Sequence, residues 1–116
     1  MRLRATAAVV VIAVSIVAAA LADKTTVKMQ RPAPPLVQKY TWTTLLQLSR
    51  RGRRLDGFRP VLEIEDQYGH RSFLGDETTP GVYRVRVVFP RRGPWKYKIR
   101  VGSETVKTGA MWVLPS

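Results

Sequence analysis

The chain contains no cysteine in 116 residues. That excludes a disulfide framework, a thiol nucleophile and a lipid-modified cysteine. Histidine is almost missing: His70 is its single imidazole, set between a glycine and an arginine with no orienting acid beside it. A Ser-His-Asp set could be gathered only from distant residues chosen freely, which carries no specificity. No glycine-rich phosphate loop is present. Acid is scarce, with Asp plus Glu totalling 8 against 20 Lys plus Arg, a formal net charge of +12. After Ala22 no segment sustains a 3.6-residue apolar period, which argues against a helical body. These absences leave an expectation of no enzyme activity and no cofactor.

What is present begins with an address. A basic start, Arg2 and Arg4, precedes an uncharged apolar run from Ala5 to Ala22 that ends in Ala20-Leu21-Ala22. A basic head, an apolar middle and a small-x-small end have the form of an export signal. The run would also make a helix of ~27 Å at 1.5 Å per residue, close to the ~30 Å of a bilayer core. Residues 1–22 are therefore a signal peptide or a retained membrane anchor. Both place everything from Asp23 onward outside the cytoplasm, secreted, periplasmic or anchored. The part after Ala22 keeps 18 basic residues against the same 8 acids.

Residues 23–36 carry Pro32, Pro34 and Pro35, which fix φ and disfavour helix before them. They read as an extended linker holding the domain off the membrane. Residues 37–116 read as strands and turns. "YTWTTLLQL" alternates Tyr40, Trp42, Thr44, Leu46 and Leu48 on one face. "VLEIED" sets Leu62 and Ile64 against Glu63 and Glu65. "VYRVRVVF" sets Tyr83, Val85, Val87 and Phe89 against Arg84 and Arg86. "WKYKIRV" sets Trp95, Tyr97, Ile99 and Val101 against Lys96, Lys98 and Arg100. Turns are expected at Gly52, Asp56-Gly57, Gly69, Gly102 and Gly109, and a loop over "GDETTPGVY". Strict alternation fits an antiparallel sheet with one wet face. The expected fold is all-β, a small antiparallel sandwich preceded by the N-terminal hydrophobic helix. The two cation-rich strands are expected to form one hairpin through "PRRGP", with Tyr83, Trp95 and Tyr97 in its core face.

On that hairpin Arg84, Arg86, Lys96, Lys98 and Arg100 share one outer face, which Arg91 and Arg92 extend at the tip. Arg50, Arg51, Arg53 and Arg54 make a second cluster in an earlier turn. Like charges across adjacent strands repel. Such a face either serves general solubility or meets an anionic partner: a membrane surface or a cell-wall polymer. Glu63 and Glu65 share a face and are expected to meet water and cross-strand arginines. Specific nucleic-acid binding is not expected, because Trp95 and Tyr97 fall on the side opposite the cations and cannot stack bases among them.

"GFRPVLEIEDQYG" followed by "PGVYRVRVVFPRRGPWKYKIRV" resembles the immunoglobulin-like modules of the YtkA-like and FixH-like group. Pro80, Gly81 and Tyr83 match that group's Pro-Gly-x-Tyr corner, and Gly93 and Trp95 match its turn and tryptophan. The resemblance spans roughly Thr41 to Val113. It implies an exported or membrane-tethered accessory domain with an immunoglobulin-like fold and a membrane protein as a further partner. It also implies an alternative role in copper handling or oxidase assembly. Copper wants imidazole or soft sulfur, and the exported part offers His70, Met29 and Met111. His70 falls in an expected turn and Met111 on an expected strand, so both are weak metal candidates.

Overall fold

The computed structural model describes residues 24–30 and 35–116; the expected N-terminal helix lies outside them. The described chain is all-β, in two antiparallel sheets. Nine strands follow in order: β1 (Thr25–Met29), β2 (Thr41–Arg50), β3 (Arg53–Arg54), β4 (Val61–Asp66), β5 (Gly69–Leu74), β6 (Asp76–Thr79), β7 (Val82–Val88), β8 (Gly93–Val101) and β9 (Glu104–Val113). The first sheet runs β1-β2-β7-β6, with β3 folded back on β2. The second runs β5-β4-β8-β9.

Alternation built these strands. Each of β2, β4, β7 and β8 buries every second residue, as a two-residue period on a half-wet sheet requires. The buried sets meet in one core: Trp42, Leu46 and Leu48 from β2, Leu62 and Ile64 from β4, Tyr83, Val85 and Val87 from β7, and Trp95, Tyr97, Ile99 and Val101 from β8. Both sheets contribute, so the arrangement is sandwich-like. Burying a large apolar side chain stabilises by ~1.5–3 kcal/mol, and chain entropy offsets most of the total.

The expected β7–β8 hairpin does not form. β7 pairs with β2 and β6, whereas β8 pairs with β4 and β9. The link Phe89–Arg92 carries the chain from one sheet to the other. Its residues explain the crossing. Pro90 has no N–H to give a ladder. Phe89 is buried between Trp42 of the first sheet, with centroids 6.1 Å apart, and Trp95 of the second, at 5.6 Å and edge-on. Arg91 turns back to the β4–β5 turn, and its carbonyl accepts the Trp95 indole N–H at 2.9 Å. Aromatic contact in these geometries adds ~0.5–1.5 kcal/mol per pair beyond burial. The crossing is thus locked by the residues flanking it.

Other elements also depart from expectation. Thr25–Met29 lies in the stretch read as a free linker, yet it is a sheet strand paired with Leu46–Arg50, and Thr25 is buried. The expected loop holds β6, and Pro80-Gly81 closes a turn onto β7, with Gly81 at φ 79° as a type II turn demands. Gly109 sits inside β9 rather than in a turn. The Tyr97 ring covers it so closely that a Cβ there would stand 2.6 Å from the ring. Beyond β9, Val37 bridges Leu114 in parallel.

Candidate functional site

Separating β7 from β8 splits the expected cationic face in two. Arg84 and Arg86 point outward from the first sheet. Lys96, Lys98 and Arg100 point outward from the second, on the far side of the molecule. The greasy residues between them, Tyr83, Trp95 and Tyr97, are buried.

The β8 row is answered by its neighbour. Glu63 stands opposite Lys98 and Glu65 opposite Lys96. The Glu63 carboxylate pairs with Arg100 and lies 4.0 Å from the Lys98 ammonium. Glu65 also faces His70 of β5. This outer face is a mixed-charge ladder, the cross-strand pairing that stabilises antiparallel sheets.

Arg91 is committed more firmly. Its Nε and Nη2 donate to the two carboxylate oxygens of Asp66 at 2.8 and 2.7 Å, a bidentate fork. Asp66 also accepts the Tyr68 and Gly69 amides at 2.9 and 3.0 Å. The guanidinium lies 5.4 Å from the Tyr68 ring centroid and 5.3 Å from that of Trp95, within cation–π range. Hydrogen bonding from Arg91 holds the Asp66 carboxyl below its ordinary value, against burial, and the same bond raises Arg91. Arg91 is therefore a structural clamp on the crossing, not a free surface cation. Arg92 gives its backbone N–H to Gln38 at 2.9 Å and leaves its side chain exposed.

The remaining cations have different neighbours. Arg86 stands opposite Thr43, and Arg84 opposite Leu45 on one side and Asp76 on the other. Asp76 pairs instead with Arg59 at 3.9 Å. Among the described residues, Arg53, Arg54, Arg84, Arg86, Arg92 and Lys96 form no ion pair within 4 Å. Arg50, Arg51, Arg53 and Arg54, with Leu55, line a shallow hollow of about 660 Å³. Arg53, Arg54, Arg84 and Arg86 thus stand without a carboxylate on the first sheet and its β2–β3 hairpin, while Arg71, Arg92, Lys96 and Lys107, also unpaired, lie apart from them.

The weak metal candidates do not meet. His70 is on β5 rather than in a turn, exposed at one edge of the second sheet. Met111 is on β9 at the other edge, half-buried against the core. Two strands lie between them, so they are ~14 Å apart at ~4.8 Å per strand. Among the described residues no group of three or more metal-ligating side chains forms. Sequence reasoning also overlooked Trp112, which alternates outward from β9 opposite Pro94 and is 64% exposed. Met111-Trp112-Val113 is apolar throughout, so periodicity does not say which face is wet.

No protein-family model matches the chain, and no curated protein matches it.

Proposed function

We propose that the chain is an exported or membrane-tethered, non-enzymatic accessory module of the YtkA-like type, whose basic surface faces anionic lipid or wall polymer. The observation that carries this reading is the division of charge. Lys98 and Arg100 of β8 are paired with Glu63 of β4, while Arg53, Arg54, Arg84 and Arg86 lack carboxylate partners on one sheet and its hairpin. Unpaired cations kept together repel, and an anionic surface relieves that repulsion. The uncharged run Ala5–Ala22 after Arg2 and Arg4 supports the tether.

The strand order supports an immunoglobulin-like fold. Order β1-β2-β7-β6 against β5-β4-β8-β9 corresponds to A-B-E-D against C′-C-F-G. Trp42 and Trp95 stand on β2 and β8, the B and F positions that a disulfide joins in antibody domains; here Phe89 fills between them. Tyr83 differs from an antibody-type tyrosine corner. It is the second residue of β7, and its hydroxyl donates across the fold to the Leu55 carbonyl at 2.5 Å while accepting the Phe58 amide at 3.1 Å.

Two measurements test the reading. A phosphatase reporter that folds only outside the cytoplasm, fused after Ser116, should be active; an inactive fusion overturns export. The full chain in neutral detergent should be retained by phosphatidylglycerol-coated beads more than by phosphatidylcholine-coated ones, and salt should erase the difference. Equal retention on both lipids overturns the anionic-surface reading.

A further inference from the structure

β2 ends at Arg50 and reverses through Arg51 and Gly52 into Arg53-Arg54. Arg51 and Gly52 have φ of 53° and 72°, the pair of positive values that makes a two-residue type I′ turn. The turn compresses four arginines into five residues. The stem of Arg54 rests on Gly81, where a Cβ would come within 2.8 Å of it. Arg50 is fixed by donating to the Thr25 hydroxyl at 2.8 Å and lies 3.6 Å from Glu104.

The same contacts locate the point where the chain enters the sheet. Thr25 stands opposite Arg50 and binds Glu104 through its N–H and hydroxyl. Asp23 and Lys24 alone separate Thr25 from Ala22, the end of the apolar run. At ~3.3–3.6 Å per residue, the three-residue step from Thr25 back to the apolar run spans at most ~11 Å. The hairpin is thus next to any bilayer that holds residues 5–22.

Neighbouring acids are largely engaged. Glu104 is held by Arg50 and Thr25, and Asp76 by Arg59. Glu77 accepts the Gly57 and Gly81 amides, and the Gly81 bond foremost holds its carboxyl below the ordinary value. Asp56 is exposed nearby.

Resting on the tethered reading above, we propose that the β2–β3 hairpin is a membrane-docking element whose Arg53 and Arg54 bind the phosphates of anionic lipid headgroups. Guanidinium forks suit phosphate oxygens. Docking stands the domain on its Arg50 end. The Gly102-Ser103 turn next to Glu104 is at that end. The Asp66–Gly69 turn, joined through Arg91 to the link that follows β7, is at the Thr41 end. The ten residues of β2 put ~30 Å between the two ends.

The chain's lack of cysteine makes single-site labelling direct. Full chains carrying Ser103→Cys or Gln67→Cys are labelled with a fluorophore and reconstituted with headgroup-nitroxide lipid. The vesicles are phosphatidylcholine, with or without phosphatidylglycerol. The Ser103 label should be quenched more strongly when phosphatidylglycerol is present, and the Gln67 label unaffected. Arg53→Gln/Arg54→Gln should lower the docked-to-undocked ratio about 25-fold, from about fivefold per arginine. Arg84→Gln/Arg86→Gln should leave the quenching in place. Persistence of Ser103 quenching in Arg53→Gln/Arg54→Gln, or stronger quenching at Gln67, overturns the docking element. If Arg84→Gln/Arg86→Gln alone abolishes the lipid dependence, the hairpin falls while the anionic-surface reading stands. Failure of the unsubstituted chain to stay with either vesicle overturns both.

Discussion

β7 and β8 carry the same pattern, a large apolar residue in and a cation out, and meet opposite fates. On β8 the cations look across to Glu63 and Glu65. On β7 they look across to Thr43 and Leu45, with Asp76 drawn to Arg59. Alternation decides which side chains leave the core. Whether a charge remains available is decided by the strand alongside, which topology selects. Two rows ten residues apart in sequence thus become a mixed-charge ladder on one side of the molecule and an unanswered basic surface on the other.

The two rows share one core, and breaking that core gives the largest effect. Trp95→Ala removes the partner of Phe89 at the sheet crossing and should destabilise by ~3–5 kcal/mol. For a small domain that is most of the stability, so urea unfolding should find the variant largely unfolded. Gly109→Ala acts on the β8 side alone. Its methyl meets the Tyr97 ring, and overpacking of this kind should destabilise by ~1–3 kcal/mol, read as a lower urea midpoint with unchanged slope.

The clamp between the rows titrates. Asp66 has a folded-state pKa below its ordinary value because of Arg91. A depressed carboxyl contributes stability above the unfolded value of about 3.9 and loses it as pH falls through the folded value. Asp66→Asn should therefore be less stable than the parent near neutral pH, and the difference should close under acid. Thermal unfolding across that range checks this; a constant difference would separate Asp66 from the ion pair.

The smallest effects distinguish the rows directly. Glu63→Gln leaves Lys98 and Arg100 unanswered and should lower stability by ~0.2–1 kcal/mol, less at high salt. Arg86→Gln removes no partner and should change stability by about 0.5 kcal/mol or less. Equal losses in both would erase the distinction between them.

The sequence made the core legible because β2, β4, β7 and β8 each keep a two-residue period, and Trp42, Tyr83, Trp95 and Tyr97 fall on its buried side. It concealed topology. Four residues between two alternating strands look like a hairpin loop, and nothing local reveals that Phe89 will wedge between two tryptophans or that Arg91 will reach Asp66, twenty-five residues back. β1 was hidden by the prolines that follow it, since extended residues look alike whether they pair or not. Of the candidate site, the arginine hairpin was visible from Gly52. Its neighbour Thr25, and hence its place beside the apolar segment, came only from the pairing of β1 with β2.

The most direct test of the two-sided account is a pair of cysteine cross-links. Glu63 and Lys98 are direct cross-strand partners, whose Cβ atoms are ~4.5–5.5 Å apart in such pairs. That is near the ~3.5–4.5 Å of a disulfide. Arg84 and Lys98 face outward from opposite sheets, and stacked sheets alone are ~10 Å apart. Under mild oxidation, Glu63→Cys/Lys98→Cys should form an intramolecular disulfide, while Arg84→Cys/Lys98→Cys should keep both thiols. Cross-linking of the Arg84→Cys/Lys98→Cys chain without that of the other would put both cationic rows on one face and contradict the account.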